Sequence, residues 1–171
     1  MAIDNDFNTG AGVKAARKLL MTYVNVGKAE KDWFLVGDGV EDSAIELNPS
    51  TETTTDILGV TTTSVTKWEP AQSFDPFTVK GGSKLAFKLH DIWASKKPEL
   101  LSQFEVLIVY AYVGDASTGF DAELQKNCTI NITSIGGDAY VDMPIEINYS
   151  NDSVRGRVTM TDGAPTFSAN N

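Results

Sequence analysis

Two alternating stretches flank a pair of glycines, and they restrict this chain's fold more than any other feature. In CTINITSI (128–135), Cys128, Ile130 and Ile132 alternate with Thr129, Asn131 and Thr133. In YVDMPIEINY (140–149), Val141, Met143, Ile145 and Ile147 alternate with Asp142, Pro144, Glu146 and Asn148. Successive side chains of a strand point to opposite faces, so an apolar period of two means a sheet buried on one face and wet on the other. Gly136-Gly137 supplies the positive φ angles of a tight connection. An antiparallel hairpin is predicted.

The rest of the chain agrees with a β fold. LLMTYVNV (19–26), DWFLVG (32–37) and SAIEL (43–47) read as early strands, and VRGRVTM (154–160) as a late one. FEVLIVYAYV (104–113) is apolar on both faces after Glu105, which predicts a central strand covered by a helix on one side and a second sheet on the other. One segment has the helical period. In GGSKLAFKLHDIWASKKPELL, Leu85, Leu89, Ile92 and Trp93 share a face, Ser83 is placed as N-cap, and Pro98 limits the far end.

Between residues 51 and 66, eight of sixteen positions are threonine, and only Ile57, Leu58, Val60 and Val65 are apolar. Branching at Cβ favours extended backbone. The expectation is a strand, a long loop and a strand returning through 61–68, too thin in apolar content to belong to the core. The predicted fold class is therefore mainly β: an antiparallel β-sandwich or barrel with one flanking helix (about 83–96) and a long extended loop (about 48–66). One domain over 1–171 is expected, with an N-terminal arm at 1–17 and a C-terminal tail at 162–171.

Charge narrows the function. Twenty-three acids against fourteen bases give −9, and only Arg17, Arg155 and Arg157 are arginines. Stable nucleic-acid binding needs clustered cations, so it is not expected. The acidic start is not a secretory signal, and no apolar run reaches the roughly 20 residues of a membrane span. Synthesis and folding in a cytoplasm without a membrane anchor is the expectation.

Catalytic signatures are missing from the sequence. His90 is the single histidine, beside Asp91, with no G-x-S-x-G nucleophile turn. Cys128 is the single cysteine and lies on an inward strand face. DNDFNTG (4–10) departs from a calcium loop because Thr9 and Ala15 stand where the motif needs glycine and glutamate. Asp142 and Glu146 are a carboxylate pair of the kind glycoside hydrolases use, but they sit on a solvated face with no aromatic platform. Neither a cofactor nor a metal is expected. Trp68, among polar neighbours, is the best stacking platform if the domain is instead a carbohydrate-binding or adhesin module.

The order of several short motifs resembles the tail tube proteins (major tail proteins) of long-tailed bacteriophages, of the kind found in phages of Gram-positive bacteria. They are LNPST opening a threonine-rich loop with TTDILG inside it, SFDPFTVKGGS leading to the single helix, EVLIVYAY, TSIGGDAY and a closing VRGRVTM. The resemblance spans roughly residues 19–160. One departure is Ser150-Asn151-Asp152, where a glycine was expected before the last strand.

That resemblance implies a structural protein of the virion tail, assembled in the host cytoplasm. Hexameric rings would stack into a tube that conducts DNA during genome ejection, with tape-measure and tail-tip or tail-terminator proteins as partners. It implies that the loop, with Asn48, Pro49, Thr51, Thr54, Ile57, Leu58 and Thr62, reaches an adjacent ring together with the terminal arms. Glu46, Asp142 and Glu146 become candidates for an acidic lumen that DNA crosses without binding. The inner tube of a contractile injection system would share the fold and differ by having a sheath partner.

Overall fold

The structure is a computed structural model and describes residues 7–170. Eleven strands and one α-helix are present: β1 (Leu20–Asn25), β2 (Trp33–Val36), β3 (Ile45–Glu46), β4 (Pro49–Thr55), β5 (Thr61–Trp68), β6 (Ala71–Phe74), α1 (Lys84–Ala94), β7 (Phe104–Asp115), β8 (Gly119–Ile132), β9 (Ile145–Asn148), β10 (Ser153–Thr161) and β11 (Ala164–Ala169). Nine strands form one antiparallel sheet in the order β2-β1-β7-β8-β9-β6-β3, with β10 also on β8 and β11 on β10; β4 and β5 form a sheet of their own. The large sheet curls into a half-barrel.

The curl originates in β8. Its first half pairs with β10 from Phe120 to Gln125, and its second half pairs with β9 from Thr129 to Ile132. Between them Asn127 has a φ of 53°, a left-handed kink that few residues other than glycine and asparagine adopt cheaply. The kink is held from the segment before β10. Ser150 Oγ donates to the Lys126 carbonyl, the Lys126 amide donates to Asp152 O at 2.9 Å, and Asn127 Nδ2 donates to Asp152 Oδ2 at 3.1 Å. This accounts for the Ser-Asn-Asp departure. None of the three residues has a positive φ, so glycine is not needed, and the Ser150 and Asp152 side chains clamp the bend instead.

Inside the curl lies the main core. Phe104, Val106, Ile108, Cys128, Ile130, Met143, Ile145 and Ile147 meet Leu85, Leu89 and Ile92 of α1. The helix starts as expected, with Ser83 Oγ accepting from the Ala86 amide at 3.3 Å. Trp93 differs from expectation: it is 54% exposed, and Ala86 takes the fourth buried position. Trp93 lies at the edge of the stripe in the last turn, where Lys96 Nζ stacks 3.2 Å from its ring.

The central strand is β7, with β1 and β8 as neighbours. Its helix-covered face is as predicted, but among the described residues no second sheet covers the other. Leu107, Val109 and Ala111 pack with Tyr23, Leu124 and Val158, all from the same curled sheet. Three other expectations change. Val141 is 52% exposed, because regular pairing in that strand begins only at Ile145 and the residues before it form bridges to Thr78 and Gly136. The expected C-terminal tail contains β11, fully registered on β10 from Thr161↔Ala164 to Gly156↔Ala169. The expected N-terminal arm is pinned in its described part: the Asn8 amide donates to Tyr112 O at 2.9 Å, and Asn8 Nδ2 to Ala111 O at 2.9 Å and Gly114 O at 2.8 Å. Residues 1–6 of that arm lie outside the described residues.

A buried polar cluster ties the layers of the main core. Gln72 Oε1 accepts from Thr22 Oγ1 at 3.0 Å and from Tyr149 Oη at 2.7 Å, while Gln72 Nε2 donates to Ser43 Oγ at 3.1 Å. Gln72 is 1% exposed and Tyr149 8%. Burial, the largest influence, holds the Tyr149 hydroxyl well above the usual tyrosine range, so it stays a neutral donor.

Candidate assembly surface

The threonine segment is a β-hairpin standing clear of the body. β4 and β5 pair from Pro49↔Trp68 to Thr55↔Thr61, with one irregularity at Ser50/Thr51. Every residue of the two strands is exposed except Ser50. This replaces the expected long loop: only residues 56–60 turn, and the rest is ladder. Two-stranded ribbons are marginal in water, so local bonds must hold this one. Threonine hydroxyls bond across the ladder at Thr53–Thr63 (3.0 Å) and Thr55–Thr61 (3.1 Å). Cross-strand pairs of this kind contribute roughly 0.2–1 kcal/mol each.

The turn is built on Asp56. One carboxylate oxygen accepts from the amides of Leu58 and Val60, both at 2.9 Å, and Gly59 takes the left-handed position at φ 81°. The result pushes Ile57 and Leu58 outward, 101% and 83% exposed. A preformed turn that displays two large aliphatic side chains is an unusual surface for a free subunit. At the base, Asn48 adopts a φ of 42° and its Nδ2 donates to Glu69 O at 3.1 Å, which fixes the exit of the ribbon. Pro49 opens β4, Thr51 faces Val65, and Thr54 faces Thr62. The structure thus brings all seven expected loop residues into one projecting element. Trp68, at its base, is 50% exposed and belongs to the ladder.

The three candidate carboxylates are placed differently from one another. The pairing β3–β6–β9 sets Glu46 opposite Ala71, which faces Asn148, and sets Ser73 opposite Glu146, which faces Asn131. Their neighbours Gln72, Ile147 and Ile130 point into the core, so Glu46 and Glu146 share the outer face of this sheet. Asp142 is half-buried and structural: it accepts from Thr78 Oγ1 at 2.6 Å, and its backbone bridges Gly136. Here glycine is required by space as well as by angle. A Cβ on Gly137, at φ 147°, would lie 2.1 Å from the Tyr140 carbonyl.

The catalytic candidates stand apart from one another among the described residues. His90 is exposed on α1. Cys128 is fully buried, and burial pushes its thiol up to about 11, the direction of an inert core cysteine. Among the described residues no three histidine, cysteine or acidic side chains converge as metal ligands. Asp4 and Asp6 of the rejected calcium-like stretch lie outside the described residues.

One surface was not read from the sequence. A groove of about 1120 Å³ runs beside α1, lined by Val79, Phe87, Leu100, Ile135 and Val141 with lysines at its rim. Its only sequence signal was Phe87, apolar on the wrong side of the helical stripe.

No protein-family model matches the chain, and no curated protein does. Solved structures do share its fold. One is in the sheath-tube complex of an extracellular contractile injection system, PVC, in the extended state: 14% identity, 81% of this chain and 88% of that one, TM-score 0.50. A second is the tube-terminating cap of the anti-feeding prophage: 14% identity, 92% and 99% coverage, TM-score 0.52. A third is the PVC sheath/tube terminator in the extended state: 12% identity, 84% and 96% coverage, TM-score 0.51. A curled antiparallel sheet with one helix and a projecting ribbon is therefore a chain similar in fold to components of tube, cap and terminator assemblies of contractile injection systems.

Proposed function

We propose that this protein is a structural subunit of a tail-type tube, forming hexameric rings that join axially through the β4–β5 ribbon. One observation carries the proposal: a preformed hairpin, without a buried side chain of its own, presents Ile57 and Leu58 to solvent. Such an element adds little to the free domain and gains when another surface covers it. The likeness of fold to tube and terminator chains supports the same reading. Head-to-tail contacts close into rings or propagate as filaments, and a tube uses both. The edge strands β2 and β11 offer backbone groups for the lateral contact. Whether the tube belongs to a long-tailed phage or to a contractile machine rests on a sheath partner.

A second reading is a tube terminator or cap, favoured by the similarity to two chains of that kind. Negative-stain microscopy of the concentrated protein separates the two. Hollow rods are the expected result; single rings that never stack would favour the terminator, and a strictly monomeric preparation would end both.

The face carrying Glu46 and Glu146 is proposed as the lumen wall. Screening limits repulsion of DNA phosphates to about 8 Å at physiological salt, which prevents adhesion without opposing transit. Lysine at both positions is expected to leave ring formation intact and to slow DNA release from assembled particles by about tenfold or more, through phosphate contacts that weaken with salt. Release at the wild-type rate would remove this face from the lumen. Asp142 is left out of the substitution because its bond to Thr78 is structural.

A further inference from the structure

The ribbon tip needs a receptor, and the chain carries a surface complementary to it. Beside α1, Phe87 (71% exposed), Val141 (52%), Ile135 (45%) and Val79 (44%) converge on one groove. Its volume of about 1120 Å³ suits a hairpin turn rather than a lone side chain. The rim is basic in a molecule of net charge −9: Lys28, Lys80, Lys84 and Lys88 line it, against the single acid Asp91. Lys80 and Lys84 are already paired with Asp38 and Asp32. Lys28 and Lys88 have no acidic partner among the described residues. Lys88 is half-buried over the Phe104 ring at 5.1 Å, and burial together with the Lys28 charge depresses its pKa. An incoming carboxylate would relieve that repulsion.

The tip offers the matching pattern. Ile57, Leu58 and Val60 are apolar and exposed, while Glu52 and Asp56 are the only charged residues from 48 to 66. Neither acid has a cationic partner among the described residues. We infer that the groove beside α1 receives the β4–β5 tip of a second copy of this chain, with Ile57 and Leu58 against Phe87 and Val141, and Glu52 and Asp56 facing Lys28 and Lys88. This rests on the ribbon being the contact between copies, and it names the other half of that contact.

Mixing full-length L58C chains with full-length F87C chains under mild oxidation tests it. A disulfide-linked pair is expected from the mixture and not from L58C mixed with S117C, an exposed position on the β7–β8 turn. In parallel, the K28E/K88E variant is expected to lose self-association by about tenfold or more at an unchanged melting temperature, and adding E52K to regain part of it. Phe87→Ser, at an exposed site, should weaken association similarly. If the groove variants assemble like wild type while a chain lacking residues 50–65 does not, the groove is overturned and the ribbon contact stands. If the deleted chain also assembles, or wild type never self-associates, both fall.

Discussion

Removing residues 50–65 and closing the gap with a short glycine linker is expected to leave a folded protein that no longer forms rods. The ribbon pairs only with itself, and none of its residues is buried, Ser50 alone being half-buried, so the two cores keep every contact. Thermal melting should shift by no more than a few degrees, and the denaturant slope should fall only slightly, since little surface is buried there. Assembly responds differently. Covering Ile57 and Leu58 in a neighbour would contribute about 1.5–3 kcal/mol for each side chain, or roughly 3–6 kcal/mol per contact. That is about two to four powers of ten in association at each interface. Electron microscopy and sedimentation of the deleted chain decide the matter. Rods of normal length would mean that stacking depends on some other surface.

The second large effect belongs to stability. Gln72→Ala is expected to destabilise the subunit by about 2–5 kcal/mol, because the Thr22 and Tyr149 hydroxyls lose their acceptor inside the core. For a chain of this size that corresponds to a melting temperature lower by roughly 5–15 °C. The sign of the effect depends on stranding polar groups, and a triple replacement tests this. Thr22→Val, Gln72→Leu and Tyr149→Phe together remove the three buried members while keeping the volume, leave Ser43 Oγ its bond to the Ser73 carbonyl, and should recover most of the loss. A single-variant loss below about 0.5 kcal/mol, or a triple variant weaker than Gln72→Ala, would show that the cluster contributes little. These residues are 50 and 77 positions apart in the chain, so the network exists only once β1, β6 and the segment after β9 are packed.

What the amino-acid order determined by itself is local. The period of two at Met143, Ile145 and Ile147 puts all three side chains in the core, 1%, 2% and 0% exposed, the last two on β9. Ser83, Leu85, Leu89 and Ile92 specify the helix through a cap and a spacing that need no partner. Threonine branching favours the extended backbone of residues 49–55 and 61–68, and the acid excess disfavours stable nucleic-acid binding. Tertiary structure decided everything that depends on who pairs with whom. The first half of β8 (Gly119–Ile132) carries polar residues at mixed positions and gained strand structure from β7 and β10 on its two edges. β11 looked like a tail because it has few apolar residues, and β10 recruits it through backbone bonds that sequence composition does not encode. Trp93 and Val141 carry the apolar chemistry of core residues, yet the helix ends and the strand begins too late for either to be covered. The kink at Asn127 is held by bonds across more than twenty residues, which no local stretch of sequence encodes.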